Sequence, residues 1–178
     1  TTMTEKNDTK QLIDRLEATR NLSRDEWIRL IQNRTADDAD YLFERAQAVR
    51  TRHYGRSVYI RGLIEFTNYC KNDCFYCGIR KSNRNANRYR LTKEQILSCC
   101  EMGYALGFRT FVLQGGEDGS FTDDRLTDII SSIRTRWRAC AITLSVGERS
   151  YESYKRLYDA GANRFLLRHE TYDDTHYL

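Results

Sequence analysis

Ile64-Glu65-Phe66-Thr67-Asn68-Tyr69-Cys70-Lys71-Asn72-Asp73-Cys74-Phe75-Tyr76-Cys77 is the stretch from which both fold and chemistry are read. It begins as an apolar, strand-like run and turns into a polar loop whose cysteines are spaced C-x3-C-x2-C. A cubane iron–sulfur cluster takes one thiolate per iron. Cys70, Cys74 and Cys77 can therefore hold three irons and leave the fourth open to a small molecule, as catalytic metal sites keep one position free. A closed zinc site would need a fourth Cys or His nearby, and the loop has none. The alternative is zinc completed by a distant ligand. The remaining cysteines, Cys99, Cys100 and Cys140, fall in a predicted helix and a predicted strand and are expected to be buried core residues.

Outward from this loop the chain alternates strands and helices. Val58, Ile60, Leu63, Ile64 and Phe66 predict a first strand, and residues 67–90 an Asn- and Arg-rich loop. Thr92 caps a helix through about Ala105 that Gly107 terminates. Arg109–Leu113 is a second strand, followed by GGEDGS; a helix follows over about Thr122–Trp137. Residues 140–145 are a third strand, Ser150–Ala160 a helix ended by Gly161, and Arg164–Leu167 a fourth strand. Strands alternating with helices imply parallel βαβ units. Upstream, residues 1–55 read as a helical segment. Leu12, Ile13 and Leu16 lie at helical spacing, Ser23 and Glu26 form a capping box, and Leu42, Phe43, Ala46 and Val49 share a stripe that ends at Gly55. The organisation expected is a helical segment, 1–55, and an α/β segment, 56–178.

Composition excludes several classes. The 178 residues are 40% hydrophobic and 30% charged, ordinary for a soluble globular chain. No apolar run approaches the ~18 residues of a membrane span. The polar start TTMTEKNDTK lacks the apolar core of a signal peptide, which points to the cytoplasm. In that reducing compartment clustered cysteines are metal ligands rather than disulfides. A net charge of +4, from 29 basic and 25 acidic residues, gives no reason to expect nucleic acid. The Arg-rich run Arg80–Arg90 could bind phosphate, but only Tyr89 offers a base a stacking partner, so a solvated loop is expected. Proline is absent altogether, for which we have no physical account.

Polar groups recur at successive strand ends. Gln114-Gly115-Gly116-Glu117-Asp118 follows the second strand, Ser145-Val146-Gly147-Glu148 the third, and Leu167-Arg168-His169-Glu170-Thr171 the fourth. Active sites of β/α barrels lie at those carboxyl ends. Each group alone has an ordinary explanation: a turn, a loop, a solvated charge cluster, and for His169 a satisfied hydrogen bond. With the cysteine loop at the first strand end, four in succession do not.

A C-x3-C-x-aromatic-C loop after a first strand, with Tyr76 in the aromatic slot, resembles the radical S-adenosylmethionine (SAM) superfamily. The resemblance implies the N-terminal half of a TIM-like (β/α) barrel preceded by helices. A complete barrel takes about 250 residues, so a truncated barrel is expected, with unpaired edges, poor solubility and no turnover of its own. It also implies a [4Fe-4S] cluster on Cys70, Cys74 and Cys77, with SAM on the open iron, cleaved by one electron to a 5′-deoxyadenosyl radical. Tyr76 would lie near the adenine. The backbone of Gly115-Gly116-Glu117 would take the SAM amino group, and Ser145 and Glu170 would contact SAM. Glu148 joins the cofactor site, and Arg164 and Arg168 would point into the cavity toward an anionic ligand.

The strings IEFTNYCKNDCFYCGIR, RYRLT, LQGGED, TLSVGE and LLRHET are most similar to the family's maturases of [FeFe]-hydrogenase. That likeness implies a small iron-bound or amino-acid-derived substrate, an electron donor such as ferredoxin or flavodoxin, and other hydrogenase maturation proteins as partners. It implies no membrane partner. Methylornithine synthases share the cysteine loop and RYRLT, so a carbon-skeleton mutase is the enzymatic alternative. A non-catalytic metal-binding module is the alternative from another class, and an RNA-modifying enzyme of the family a further one.

Overall fold

The computed structural model describes residues 3–176. Its contacts divide the chain into two compact units, Thr1–Val58 and Tyr59–Leu178. The first unit is three helices, α1 Met3–Thr19, α2 Arg24–Asn33 and α3 Ala36–Tyr54. Ser23 and Thr35 open α2 and α3 with capping boxes completed by Glu26 and Asp38. Leu12, Ile13, Leu22 and Leu30 form a small core, with Leu16, Tyr41 and Leu42 against it. The stripe expected on α3 is corrected at Phe43, which is 64% exposed. The packed positions are Tyr41 and Leu42, and Arg45, one turn on from them, faces α1 by pairing with Glu17 at 2.6 Å.

The second unit is β1 Gly62–Thr67, α4 Lys93–Ala105, β2 Thr110–Gly115, α5 Asp123–Arg136, β3 Ala141–Ser145, α6 Tyr151–Asp159 and β4 Arg164–Phe165, then a 3-10 turn at Asp174–His176. The strands form one parallel sheet in the order β1-β2-β3-β4. Every strand lies beside its predecessor, so the sheet never reverses direction as a doubly wound sheet does. This is the topology of a β/α barrel, here four strands of one.

Period-2 alternation builds the core. Ile64 and Phe66, Phe111 and Leu113, and Ile142 and Leu144 pack with Ile96, Leu97, Leu126, Ile129, Ile130, Ile133 and Leu157 of the helices. The intervening positions present Leu63, Glu65 and Gln114 on the opposite face. Side-chain caps start each helix: Thr92 with Gln95 for α4, Thr122 for α5 and Ser150 for α6. Gly107 (φ +96°) and Gly161 (φ +120°) follow α4 and α6 in the left-handed region.

The first strand is shorter than expected. Gly62 pairs with Phe111, one residue into β2, so the strand begins at Gly62 rather than at Val58; Val58 and Ile60 are 78% and 58% exposed. The fourth strand is also shorter, although the N–H of Leu166 still reaches the carbonyl of Leu144 at 2.8 Å.

Candidate functional site

A cavity of about 360 Å³ opens at the carboxyl ends of β1–β4. Cys70, Cys74, Tyr76 and Cys77 line it from the loop after β1, and Gly115, Gly116 and Glu117 from that after β2. Ser145 and Glu148 line it from β3 and its loop, and Arg168 and Glu170 from the segment after β4. The structure thus brings every one of these sequence-derived positions to one space. Arg164 is not among the lining residues, which corrects the expectation that it points into the cavity. It pairs with Thr143, two residues before the end of β3, and so sits below the rim.

The cysteine loop is held by its own arginines and asparagines. Arg88 donates to four backbone carbonyls: Asn68 (2.5 Å), Ile79 (2.9 Å), Arg80 (2.7 Å) and Asn83 (3.1 Å). Asn68 receives the N–H of Tyr89 on its side-chain oxygen at 2.8 Å and donates to the Asn87 carbonyl at 2.6 Å. Arg80 Nη1 donates to the Phe75 carbonyl at 2.7 Å. The expectation of a solvated loop is therefore corrected for Arg80, Arg88 and Arg90: their guanidiniums satisfy carbonyls and a carboxylate that the irregular backbone leaves unpaired.

The loop after β2 packs directly on the cysteine loop. A Cβ on Gly116 would collide with the carbonyl of Tyr69 and lie 2.8 Å from Cys70 Cβ, so only glycine fits. The N–H of Glu117 donates to Cys70 Sγ at 3.4 Å, and its carbonyl accepts from Lys71 N at 3.0 Å. The Glu117 carboxylate bonds Asn72 Nδ2 and Lys71 Nζ, each at 2.9 Å. Gly147 (φ +76°) leaves room for the Glu117 side chain. Asp118, unremarked in the sequence beyond its place in the motif, is buried. It receives Arg90 through Nε (2.6 Å) and Nη2 (3.0 Å), the Thr67 hydroxyl (2.8 Å) and the N–H of Ser120 (3.0 Å). Burial by itself raises its pKa, but these donors prevail and bring it down to about 2.

Sequence reasoning also missed Glu65 and Gln114, which line the cavity and share a 3.1 Å hydrogen bond across β1 and β2. A carboxylate between Ile64 and Phe66 in a strand was the available signal.

The three loop cysteines are unbridged and half-buried. Cys100 is sealed in the core, where burial and then its Cys99 and Cys140 neighbours push its thiol up to about 12. Cys99 is exposed, correcting the expectation of burial, because Ile96, Leu97 and Cys100 take the sheet-facing side of α4. Among the described residues no three or more His, Cys, Asp or Glu side chains converge on a point for one ion. A cubane asks for one thiolate at each of three separate irons. The cavity-lining cysteines, one of them accepting a backbone N–H on sulfur, fit that demand.

A parallel β/α sheet with this loop at its first strand end defines the class, and the chain belongs to the Radical SAM superfamily, whose profile matches residues 64–178. The superfamily's enzymes use a [4Fe-4S] cluster and SAM. The chain is 43% identical over 130 residues to the [FeFe] hydrogenase maturase subunit HydE of Thermotoga maritima, covering 73% of this chain and 37% of that protein. It is 30% identical over 158 residues to 3-methylornithine synthase of Methanosarcina acetivorans, 88% of this chain and 45% of that one. It thus spans less than half the length of these relatives. The crystal structure of methylornithine synthase superposes with a TM-score of 0.80 at 28% identity, covering 93% of this chain and 49% of that one. The crystal structure of HydG, a maturase of the [FeFe]-hydrogenase, gives 0.83 at 25%, covering 94% and 38%. Among the described residues no helix is long and apolar enough to cross a membrane.

Proposed function

We propose that the chain is part of a radical SAM maturase of the HydE type, acting in the cytoplasm in assembly of the [FeFe]-hydrogenase active-site cluster. The 43% identity to HydE carries this reading, against 30% to methylornithine synthase. The fold similarity does not separate a maturase from a methylornithine synthase, since HydG and methylornithine synthase superpose with TM-scores of 0.83 and 0.80. The substrate would be a small iron-bound or amino-acid-derived precursor, the electron donor a ferredoxin or flavodoxin, and the partners other hydrogenase maturation proteins.

Cys70, Cys74 and Cys77 would hold the cluster. Bound together, cluster and SAM supply one-electron cleavage of the sulfonium to a 5′-deoxyadenosyl radical. The chain's own residues bind and orient. Tyr76, 62% exposed between Cys74 and Cys77 and lining the cavity, would lie near the adenine. The backbone of Gly115-Gly116-Glu117, which lines the cavity beside the cysteine loop, would take the amino group. Ser145, Glu148 and Glu170 offer acceptors from the neighbouring strand ends, and the Arg168 guanidinium, 3.9 Å from the Glu170 carboxylate, suits a ligand's own carboxylate. Residues 1–55 would form a helical segment preceding this barrel portion, residues 56–178.

The experiment is complementation. A full-length version should restore hydrogenase maturation in a host lacking HydE and should not form methylornithine from lysine; the reverse result moves the assignment to the mutase. Iron analysis tests the site beneath it. Reconstituted protein should hold about four irons per chain. Cys74→Ala should lose them while Cys140→Ala keeps them, and equal loss from both would overturn the ligand set.

A further inference from the structure

Besides the contacts of Lys71 and Asn72 with Glu117, a largely buried ion pair ties the segment around the cysteine loop to the loop after β2. Arg90 binds both carboxylate oxygens of Asp118, whose side chain is only 3% exposed, and its guanidinium lies 3.7 Å over the Tyr69 ring, the residue before Cys70. Thr67, the last residue of β1, donates its hydroxyl to the same carboxylate at 2.8 Å and accepts the N–H of Tyr69 at 3.2 Å. Asp118 is one residue past Glu117, whose N–H donates to Cys70 Sγ. The carboxylate is thus tied to the chain on either side of that N–H···S hydrogen bond.

We infer that Arg90 and Asp118 are positioning residues that set the reduction potential of the cluster by aiming the Glu117 N–H at Cys70 Sγ. The inference rests on reading Cys70, Cys74 and Cys77 as the cluster ligands. The physical reason is general. A donor on a ligating sulfur draws off charge and favours the cluster state that has gained an electron. Losing the donor leaves more charge on sulfur and makes uptake of one electron harder. Arg88 supplies the contrast: it clamps the same loop through four carbonyls, all of them within that loop.

The test is a potentiometric titration of the full-length, reconstituted protein, with dithionite and redox mediators and paramagnetic detection. The variants are Asp118→Asn, Arg90→Lys and the near-isosteric Thr67→Val, with Arg88→Lys as control. At a fixed poise the reduced-to-oxidised ratio in Asp118→Asn and Arg90→Lys should fall about tenfold, some 59 mV for one electron. Thr67→Val should move the same way by less. Arg88→Lys should lower the iron content while the loaded fraction keeps the wild-type midpoint. The inference is overturned if the loaded fractions of all three test variants titrate as wild type, or if Arg88→Lys shifts the midpoint equally. A folded Arg90→Lys or Thr67→Val protein that takes up no iron also overturns it, since the pair would then govern assembly rather than potential. A wild type without four irons would instead remove the ligand assignment itself, and with it this inference.

Discussion

Asp118 carries a titration as well as a contact. Its carboxyl is held at about 2 in the folded chain, against about 3.9 for a free aspartate. A depressed acid contributes stability above its unfolded pKa and loses it as pH falls through the folded one, so the relevant window is about pH 4 down to pH 2. Across it the Arg90–Asp118 pair should forfeit on the order of 2 kcal/mol. In Asp118→Asn the fall in denaturant midpoint between those pH values should be smaller than in wild type; an unchanged slope would show that the carboxylate is not held so low. Gly147 makes a second residue-scale prediction. With φ at +76° and the Glu117 side chain where a Cβ would sit, Gly147→Ala should lose at least about 1–2 kcal/mol from the backbone alone, read by chemical denaturation. At this scale the cysteine loop stood out because C-x3-C-x2-C is a pattern with few other uses, and the structure brings all three cysteines to the cavity. Asp118 and Gly116 were not, because their meaning lies in atoms of Thr67, Tyr69, Cys70 and Arg90, distant in sequence.

Among the elements, helices were read closely and strand ends less so. Capping boxes at Ser23 and Thr92 and the glycines at 55, 107 and 161 act within a few residues, so the sequence near each boundary contains its cause. The start of β1 depends on how far β2 extends, and residues 58–61 contain no sign of it. The loop between β1 and α4 behaves as a structural element despite lacking regular structure. Arg88→Ala should cut its cluster loading several-fold while the thermal midpoint of the apo-protein moves little, because that clamp serves the loop and not the core. In the core the reverse holds. Phe66, 1% exposed and edge-on to Phe121 at 4.5 Å between ring centres, should cost about 3–5 kcal/mol as Phe66→Ala.

Over the whole molecule, one side of the sheet is covered by helices and the other is partly open. Leu63 is 54% exposed, Leu166 46% and Leu167 56%. Parallel sheets are normally buried on both faces, and β1 and β4 are the outer strands of this one, β1 being bridged by the Tyr89–Leu91 segment at its carboxyl end. Expressed by itself, a chain of these 178 residues should self-associate, seen as a mass by light scattering that grows with concentration. A concentration-independent monomer with a cooperative melt would show that these faces need no cover.

The alternation of strands and helices, the helix caps and the cysteine spacing are local patterns, and they were enough to determine a parallel β/α architecture and a cysteine loop at its first strand end. Short-range chemistry suffices there because a cap, a period-2 face or a ligand loop is made from neighbours in the chain. Tertiary structure alone decided what holds that loop. The arginines that read as solvated turned inward, since an irregular loop leaves carbonyls without partners and Arg80 and Arg88 were close enough to supply donors. Gly116 after β2 proved to be clearance for Tyr69 and Cys70, and Gly147 after β3 for Glu117, a steric demand made by segments some 30 to 50 residues away in the chain. Glu65 and Gln114 came together only through the register of β1 on β2, because a cross-strand pair exists nowhere in the linear order.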